Sequence, residues 1–223
     1  MTVRLPELVA FDLDGTLADT IEDIAASVDR TLSRFGLPPH ELSAYKLMVG
    51  DGFRSLIERS LPPDKRHDEE LFGQVFESAS REYAEHSLEK TKPFPGMATT
   101  LETLSRKGIR LAVLSNKPDA MSKTIIRSLF GKIPFVAVWG NSPGRPRKPN
   151  PSAALEICSM AKARPEHSLF VGDSGVDMET ARAAGMIAVG ALYGYRSREE
   201  LEKAGADFFI ASPLELLSLI DVA

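Results

Sequence analysis

The sequence predicts an α/β protein whose core is a doubly wound parallel sheet, interrupted by a small all-α insertion. Short apolar runs of strand length recur along the chain, and helical patterns separate most of them. This alternation is typical of parallel strands joined by helices. A long stretch after the first run contains only helical patterns, so the insertion is expected in the first connection of the sheet.

The expected strands are short runs of mostly apolar residues. They lie at residues 8–11, 109–114, 135–138, 169–171, 187–189 and 208–210. Core helices are expected at 97–107, 151–162 and 178–184, where apolar positions or good helix formers recur. Gly96, Gly108 and Gly185 mark expected helix ends, since glycine accepts the left-handed conformation found there.

The insertion is predicted from helical spacing. Ile24, Val28, Leu32 and Phe35 recur at that spacing, and further helical patterns follow at 47–61 and 71–83. Two prolines and a glycine in residues 90–96 indicate a stiff return linker. We therefore expect a core domain formed by 1–17 and 91–223, and an inserted helical domain formed by 18–90.

Composition excludes several classes of partner. The chain has 223 residues, 43% of them hydrophobic, and a net charge of -4, which disfavours nucleic acid and anionic membranes as main partners. Its single cysteine cannot form an internal disulfide, and neither a signal peptide nor an apolar segment of about 20 residues is visible. We expect a soluble cytoplasmic protein, as a monomer or homodimer.

The first polar motif follows the first predicted strand. Asp12 and Asp14 flank Leu13, and Gly15 then permits a sharp turn. The turn would leave both carboxylates facing one space, where one of them could attack phosphorus. Taken alone, the motif also fits an ordinary turn or a cation-binding loop.

Two further motifs could add phosphate ligands. Ser115 and Asn116 end the run at 109–114, where ligands bind in open α/β sheets, although a helix cap is the alternative for this pair alone. Lys148 lies in a Gly- and Pro-rich loop, where most basic side chains are simply solvated. The conjunction of a hydroxyl, a cation and the carboxylates favours phosphate chemistry.

A fourth motif supplies more carboxylates. Asp173 and Asp177 follow the run at 169–171, and their spacing puts both on one face of the next helix's first turn. Helix capping alone would also explain them. Asp12, Asp14 and Asp173 gathered together would repel one another, and a Mg2+ ion would remove that repulsion while binding substrate phosphate.

Together these four motifs resemble those of the haloacid dehalogenase superfamily, with its phosphatase branch the best fit. The resemblance implies a Rossmann-like core, with Asp12 as the nucleophile that becomes an aspartyl phosphate and Asp14 as general acid and base. It assigns the transferring phosphoryl group to Ser115, Asn116 and Lys148. Mg2+ would be held by Asp12, Asp173 and the main-chain carbonyl of Asp14, with Asp177 supporting the site.

The insertion resembles the small cap domain of the phosphoglycolate phosphatase-like subfamily. Within it, residues 49–54 combine two glycines with Arg54, our candidate for a second anionic group on a small phosphorylated metabolite. An arginine on a solvent-facing turn of the helix is the alternative for this residue. The resemblance makes 2-phosphoglycolate the expected substrate, although Asp51 in the same loop is awkward for an anion. Inorganic pyrophosphate, nucleotides, sugar phosphates and phosphomutase chemistry remain alternatives within the superfamily.

A receiver-type signalling domain also combines a phosphorylated aspartate with Mg2+, a hydroxyl and a lysine. The carboxylate two residues after the nucleophile and the helical insertion of about 70 residues favour a turnover enzyme instead. A non-catalytic phosphate-binding protein is disfavoured because all four motifs are intact.

Overall fold

The computed structural model describes residues 5–220, and its core is a six-stranded parallel sheet. Its strands are β1 Leu8–Phe11, β4 Arg110–Pro118, β5 Phe135–Asn141, β6 Ser168–Gly172, β7 Ile187–Ala191 and β8 Phe208–Ile210. Across the sheet they lie in the order β5-β4-β1-β6-β7-β8. All six were predicted, and β4 and β5 extend furthest beyond the predicted ends.

Helices cover both faces of this sheet. They are α5 Met97–Arg106, α6 Asp119–Phe130, α7 Ser152–Met160, α8 Gly175–Ala183, α9 Arg198–Ala204 and α10 Glu215–Leu219. Alternate residues of β1 enter opposite layers: Val9 and Phe11 belong to one apolar cluster, and Leu8 and Ala10 to the other. The predicted α/β, doubly wound Rossmann-like fold is thereby confirmed.

The insertion is helical, as predicted, and has an apolar cluster of its own. Its helices are α1 Ile21–Arg34, α2 Leu42–Met48, α3 Phe53–Ser60 and α4 Glu69–His86. The pattern at 47–61 is not one helix, because the chain breaks between α2 and α3. Gly50 and Gly52 lie there at φ values of 120° and 94°, which other residues rarely adopt. Within the described part of the chain, no helix is long and apolar enough to span a membrane.

A two-stranded ribbon joins this helical unit to the sheet. Strand β2, Ala18–Asp19, pairs antiparallel with β3, Lys92–Pro93. The chain therefore leaves the core and returns to it at neighbouring positions, with β3 inside the predicted linker. The division into two domains at residues 18 and 90 stays a prediction, although the separate apolar cluster of the helical unit is consistent with it.

Candidate active site

Three adjacent strands bring the predicted site residues to one edge of the sheet. Asp12 follows β1, Ser115 and Asn116 lie in the last part of β4, and Asp173 follows β6. Because β1 pairs in parallel with both β4 and β6, their carboxyl ends coincide. The residues named from sequence as nucleophile, phosphate ligand and metal ligand therefore come from one end of the fold.

Lys148 reaches this edge from the loop between β5 and α7. Its Nζ donates to Oδ1 of Asp12 at 2.7 Å and to Oδ1 of Asp177 at 2.6 Å, and the lysine is almost fully buried. Burial alone would lower the pKa of Lys148, but the two carboxylates outweigh it and raise that pKa. The cation is thus permanent and lies directly beside Asp12.

Asp177 both caps a helix and positions this lysine. Its Oδ2 accepts from the backbone N–H of Ser174 at 3.0 Å and from the Ser174 hydroxyl at 2.6 Å, which forms a capping box at the start of α8. Its other oxygen accepts from Lys148. Asp177 therefore does cap α8, as one interpretation of the sequence proposed. The capping hydrogen bonds hold in place the carboxylate that orients Lys148.

Three buried carboxylates form a cluster that could hold a metal ion. Asp12, Asp173 and Asp177 each offer an oxygen, and these oxygens lie within 4.8 Å of one another. Burial, opposed by Lys148 and aided by Asp177 and Asp14, raises the pKa of Asp12 to about 6. Burial and the charges of Asp177 and Asp12 raise the pKa of Asp173 well above its usual range. Uncompensated negative charge on hard oxygen donors suits a hard divalent cation.

The backbone packs tightly around Asp173. Its Oδ1 accepts from the Thr16 hydroxyl at 3.1 Å, and its Oδ2 accepts from the backbone N–H of Tyr195 at 2.8 Å. A Cβ at Gly194 would lie 2.5 Å from the carbonyl oxygen of Gly15 and 2.7 Å from Cγ of Asp173. Glycine at 194 is what allows the two loops to hold this carboxylate.

Asp14 faces a different set of partners. Its Oδ1 accepts from the Thr20 hydroxyl at 2.6 Å, and Nζ of Lys117 donates to its Oδ1 and Oδ2 at 2.9 and 3.2 Å. Its carboxylate lies outside the three-aspartate cluster. The metal-binding role that the resemblance gives to its main-chain carbonyl stays a prediction.

A small cavity lies between this edge and the helical unit. Its polar wall includes Asp12, Asp14, Ser115, Asn116 and Lys117. The helical unit contributes Ile24, Val49, Gly50, Gly52, Phe53 and Leu56, and Pro118 completes the lining. The cavity volume is about 30 Å³, room for about two water molecules. A phosphate group alone exceeds this space, so the lining must open to admit any phosphomonoester.

Core side chains bind the backbone of the loop between α2 and α3. Nη2 of Arg196 donates to the carbonyls of Leu47 and Val49 at 2.9 and 2.8 Å. Nη1 of Arg147 donates to the Asp51 carbonyl at 2.9 Å, and Nδ2 of Asn116 to the Gly50 carbonyl at 3.0 Å. These contacts hold the loop over the cavity.

The structure does not bring Arg54 to this site. Its guanidinium lies 4.4 Å from the centre of the Phe72 ring, the residue is exposed, and it does not line the cavity. The Asp51 carboxylate pairs with Arg59 at the same surface. Arg54 lies on the outward face of α3, and Phe53 lies on the inward face. The helix therefore directs the Arg54 side chain away from the cavity.

Three residues of the site escaped the sequence interpretation. Lys117 was missed because the expected strand ended at Leu114, although β4 continues and places it two positions beyond Ser115. Thr20 precedes α1 and was counted with the insertion. Tyr195 lies in no motif named from the sequence, and its hydroxyl accepts from the Thr20 N–H at 2.9 Å.

Comparison with known proteins places this site in a family. The profile of haloacid dehalogenase-like hydrolases matches residues 9–191. The chain is 40% identical to a phosphoglycolate phosphatase of Pseudomonas putida over 86% of its own length and 71% of that protein. It is 35% identical to a phosphoglycolate phosphatase of Aquifex aeolicus, with 96% of each chain covered.

The chain therefore belongs to the haloacid dehalogenase-like hydrolases. A crystal structure of a predicted phosphoglycolate phosphatase from Haemophilus somnus is similar in fold, with a TM-score of 0.90, 27% identity, and 96% and 98% of the two chains covered. Within the superfamily this hydrolase is phosphoglycolate phosphatase-like, which confirms the superfamily inferred from the four motifs and the subfamily inferred from the insertion.

Proposed function

We propose that this protein is a Mg2+-dependent phosphomonoesterase that acts on 2-phosphoglycolate through an aspartyl-phosphate intermediate. The observation that carries the proposal is the environment of Asp12. This carboxylate lines the cavity, contacts Lys148 at 2.7 Å and belongs to the buried acidic cluster. A nucleophile for phosphorus needs this combination of access and positive charge for the phosphoryl oxygens.

In the first step, a carboxylate oxygen of Asp12 forms a bond to phosphorus as the bond to the ester oxygen breaks. Lys148 lies beside that oxygen, and Ser115 lines the same cavity, so both can bind phosphoryl oxygens. Asp14 gives a proton to the departing alkoxide, which leaves as the alcohol. Thr20 fixes the position of Asp14 for this transfer.

In the second step, water attacks the phosphorus of the aspartyl phosphate. Asp14 takes the proton from that water, the acyl–phosphate bond breaks, and the Asp12 carboxylate is restored with release of inorganic phosphate. One residue thereby serves as acid and then as base, as it can when the leaving alcohol has gone.

The acidic cluster supports the metal requirement. Within the cluster, Asp12 and Asp177 pair with Lys148, whereas Asp173 bonds only to Thr16 and the Tyr195 backbone among the described residues. The cluster thus has more carboxylates than cations, which favours a bound metal ion. When bound there, Mg2+ supplies positive charge to the phosphoryl oxygens. The residues that would hold it are Asp12, Asp173 and the Asp14 carbonyl.

The choice of substrate is supported by the named activity of the relatives. A receiver-like switch is disfavoured because the helical unit covers Asp12 and forms a cavity with it.

Phosphate release from a panel of 2-phosphoglycolate, pyrophosphate, hexose phosphates and nucleotides tests the proposal, with kcat/KM as the ranking. We expect 2-phosphoglycolate to lead, a chelator to stop turnover, and Asp12→Asn to be inactive yet folded. Turnover by Asp12→Asn at the wild-type rate would refute the covalent mechanism. A different leading substrate would refute the substrate assignment only.

A further inference from the structure

The proposed mechanism assigns no role to one buried cation of the cavity, Lys117. Lys117 is 6% exposed, and its Nζ contacts both oxygens of Asp14 and lies 4.5 Å from the centre of the Tyr83 ring. Its ammonium group thus lies where the core meets helix α4 of the helical unit. Burying an ammonium group costs free energy unless anions or hydrogen-bond acceptors compensate its charge.

Lys117 differs from Lys148 in how fully its charge is compensated. Lys148 donates to two carboxylates, Asp12 and Asp177. Among residues 5–220, the ammonium group of Lys117 donates hydrogen bonds to Asp14 alone. A lysine ammonium has three N–H donors, so one remains available beside the cavity.

The side chains on the opposite wall of the cavity carry no charge and no hydrogen-bond donor for a second anion. Ile24, Val49, Phe53 and Leu56 are apolar, and Lys117 is the cationic residue among the described residues that line the space. A substrate carboxylate placed against this wall would be buried without a counter-charge unless it met Lys117. Tyr83, whose ring faces Lys117, adds a buried hydroxyl that has no partner among the described residues.

We propose that the Lys117 ammonium binds the second anionic group of the substrate and selects short phosphomonoesters that carry a carboxylate. The proposal rests on the proposed phosphatase function and names the residue behind its substrate class. It replaces Arg54, which stacks on Phe72 away from the cavity. Selection follows from charge, because a phosphomonoester with a neutral tail of the same length leaves Lys117 paired with Asp14 alone.

The test compares 2-phosphoglycolate with 2-hydroxyethyl phosphate, a substrate of similar size whose tail is uncharged. Loss of one charge-assisted hydrogen bond predicts that Lys117→Met lowers kcat/KM for 2-phosphoglycolate roughly 10- to 100-fold further than for 2-hydroxyethyl phosphate. Lys117→Gln, which keeps a donor for Asp14, should show the same selective loss. Lys117→Arg should retain part of the preference, and Arg54→Ala should leave both substrates unchanged.

Each other outcome overturns the inference in a recognisable way. Equal losses for both substrates would make Lys117 only a support for Asp14, and unchanged kinetics would give it no role in recognition. Wild-type protein that treats both substrates alike would also refute carboxylate selection, while leaving the phosphatase function intact. If wild-type protein hydrolyses neither, the proposed function falls and the inference with it. Should Lys117→Met fail to fold, the Gln and Arg variants decide.

Discussion

The Thr20 hydroxyl donates a hydrogen bond of 2.6 Å to Oδ1 of Asp14. Thr20 stands between strand β2 and helix α1, at the point where the chain enters the helical unit. The proposed general acid is therefore held by the first residue after the ribbon. Displacement of the helical unit would disturb this contact, which links the position of the unit to that of the acid.

Thr20→Val should lower kcat about 10-fold with little change in KM, since it removes the donor that positions Asp14 and leaves the side-chain shape almost unchanged. Steady-state kinetics on 2-phosphoglycolate measure both constants. The matched control is Thr124→Val, whose exposed hydroxyl bonds only to the Ala120 carbonyl of its own helix. An effect on KM alone would argue that Thr20 positions substrate and not the acid.

The acidic cluster should make metal binding depend on pH. Because the pKa of Asp12 is raised to about 6 from its model-compound value of 3.8, the folded metal-free protein binds more protons than the unfolded chain between those values. Its stability therefore falls as pH rises through that window. We expect Mg2+ to raise Tm more at about pH 8, above the raised pKa of Asp12, than at about pH 5, below it.

Thermal unfolding with Mg2+ or with a chelator, at several pH values, checks this dependence. Asp12→Asn, which removes the titrating carboxylate, should weaken both the Mg2+ effect and its change with pH. An equal rise in Tm at both pH values would contradict a metal site built on Asp12.

Arg196→Ala should loosen the loop between α2 and α3, since it removes donors to the Leu47 and Val49 carbonyls. Amides of residues 47–53 should exchange hydrogen faster, and KM should rise several-fold because the loop forms part of the cavity wall. Arg198→Ala is the matched control, because Arg198 pairs with Glu202 and packs on Phe209, both of which belong to the core domain and not to the helical unit. Unchanged exchange in the Arg196 variant would show that the loop does not depend on it.

Gly194→Ala should destabilise the fold by about 2–3 kcal/mol, because the added methyl group meets the Gly15 carbonyl and the Asp173 side chain. Urea unfolding measures the change. Gly73→Ala is the contrasting variant: it lies in α4 with nothing within 4 Å of the added Cβ, and it should stabilise by up to about 1 kcal/mol. Similar results for both variants would contradict the close packing around Asp173.

The sheet was predictable because each strand is an apolar run bounded by polar or turn residues. The exception, strand β4, shows why the site was harder. Its last residues include Ser115 and Lys117, which are polar and yet buried against the cavity, so a hydrophobic pattern ends the strand too early. The alternation of side chains along a strand would have placed Lys117 on the side of Ser115.

Contacts between distant segments could not be predicted from local patterns. Arg54 follows a glycine-rich loop, and only the packing of α3 against α4 shows that its guanidinium stacks on Phe72. Arg196 and Val49 are 147 residues apart in the chain. Spacing within one helix or strand carries no information on such pairs. The four motifs were recognisable because the residues of each motif lie close together in the sequence.

The ribbon of β2 and β3 brings the two ends of the helical unit together. Ala18 pairs with Pro93 and Asp19 with Lys92, so the two ends of the excursion lie about 5 Å apart. A segment grafted in place of the helical unit needs ends that meet at that spacing, and it must keep Thr20, whose hydroxyl holds Asp14. We expect such a replacement to change the apolar wall of the cavity, while Asp12, Lys117, Lys148 and Asp173 stay on the core.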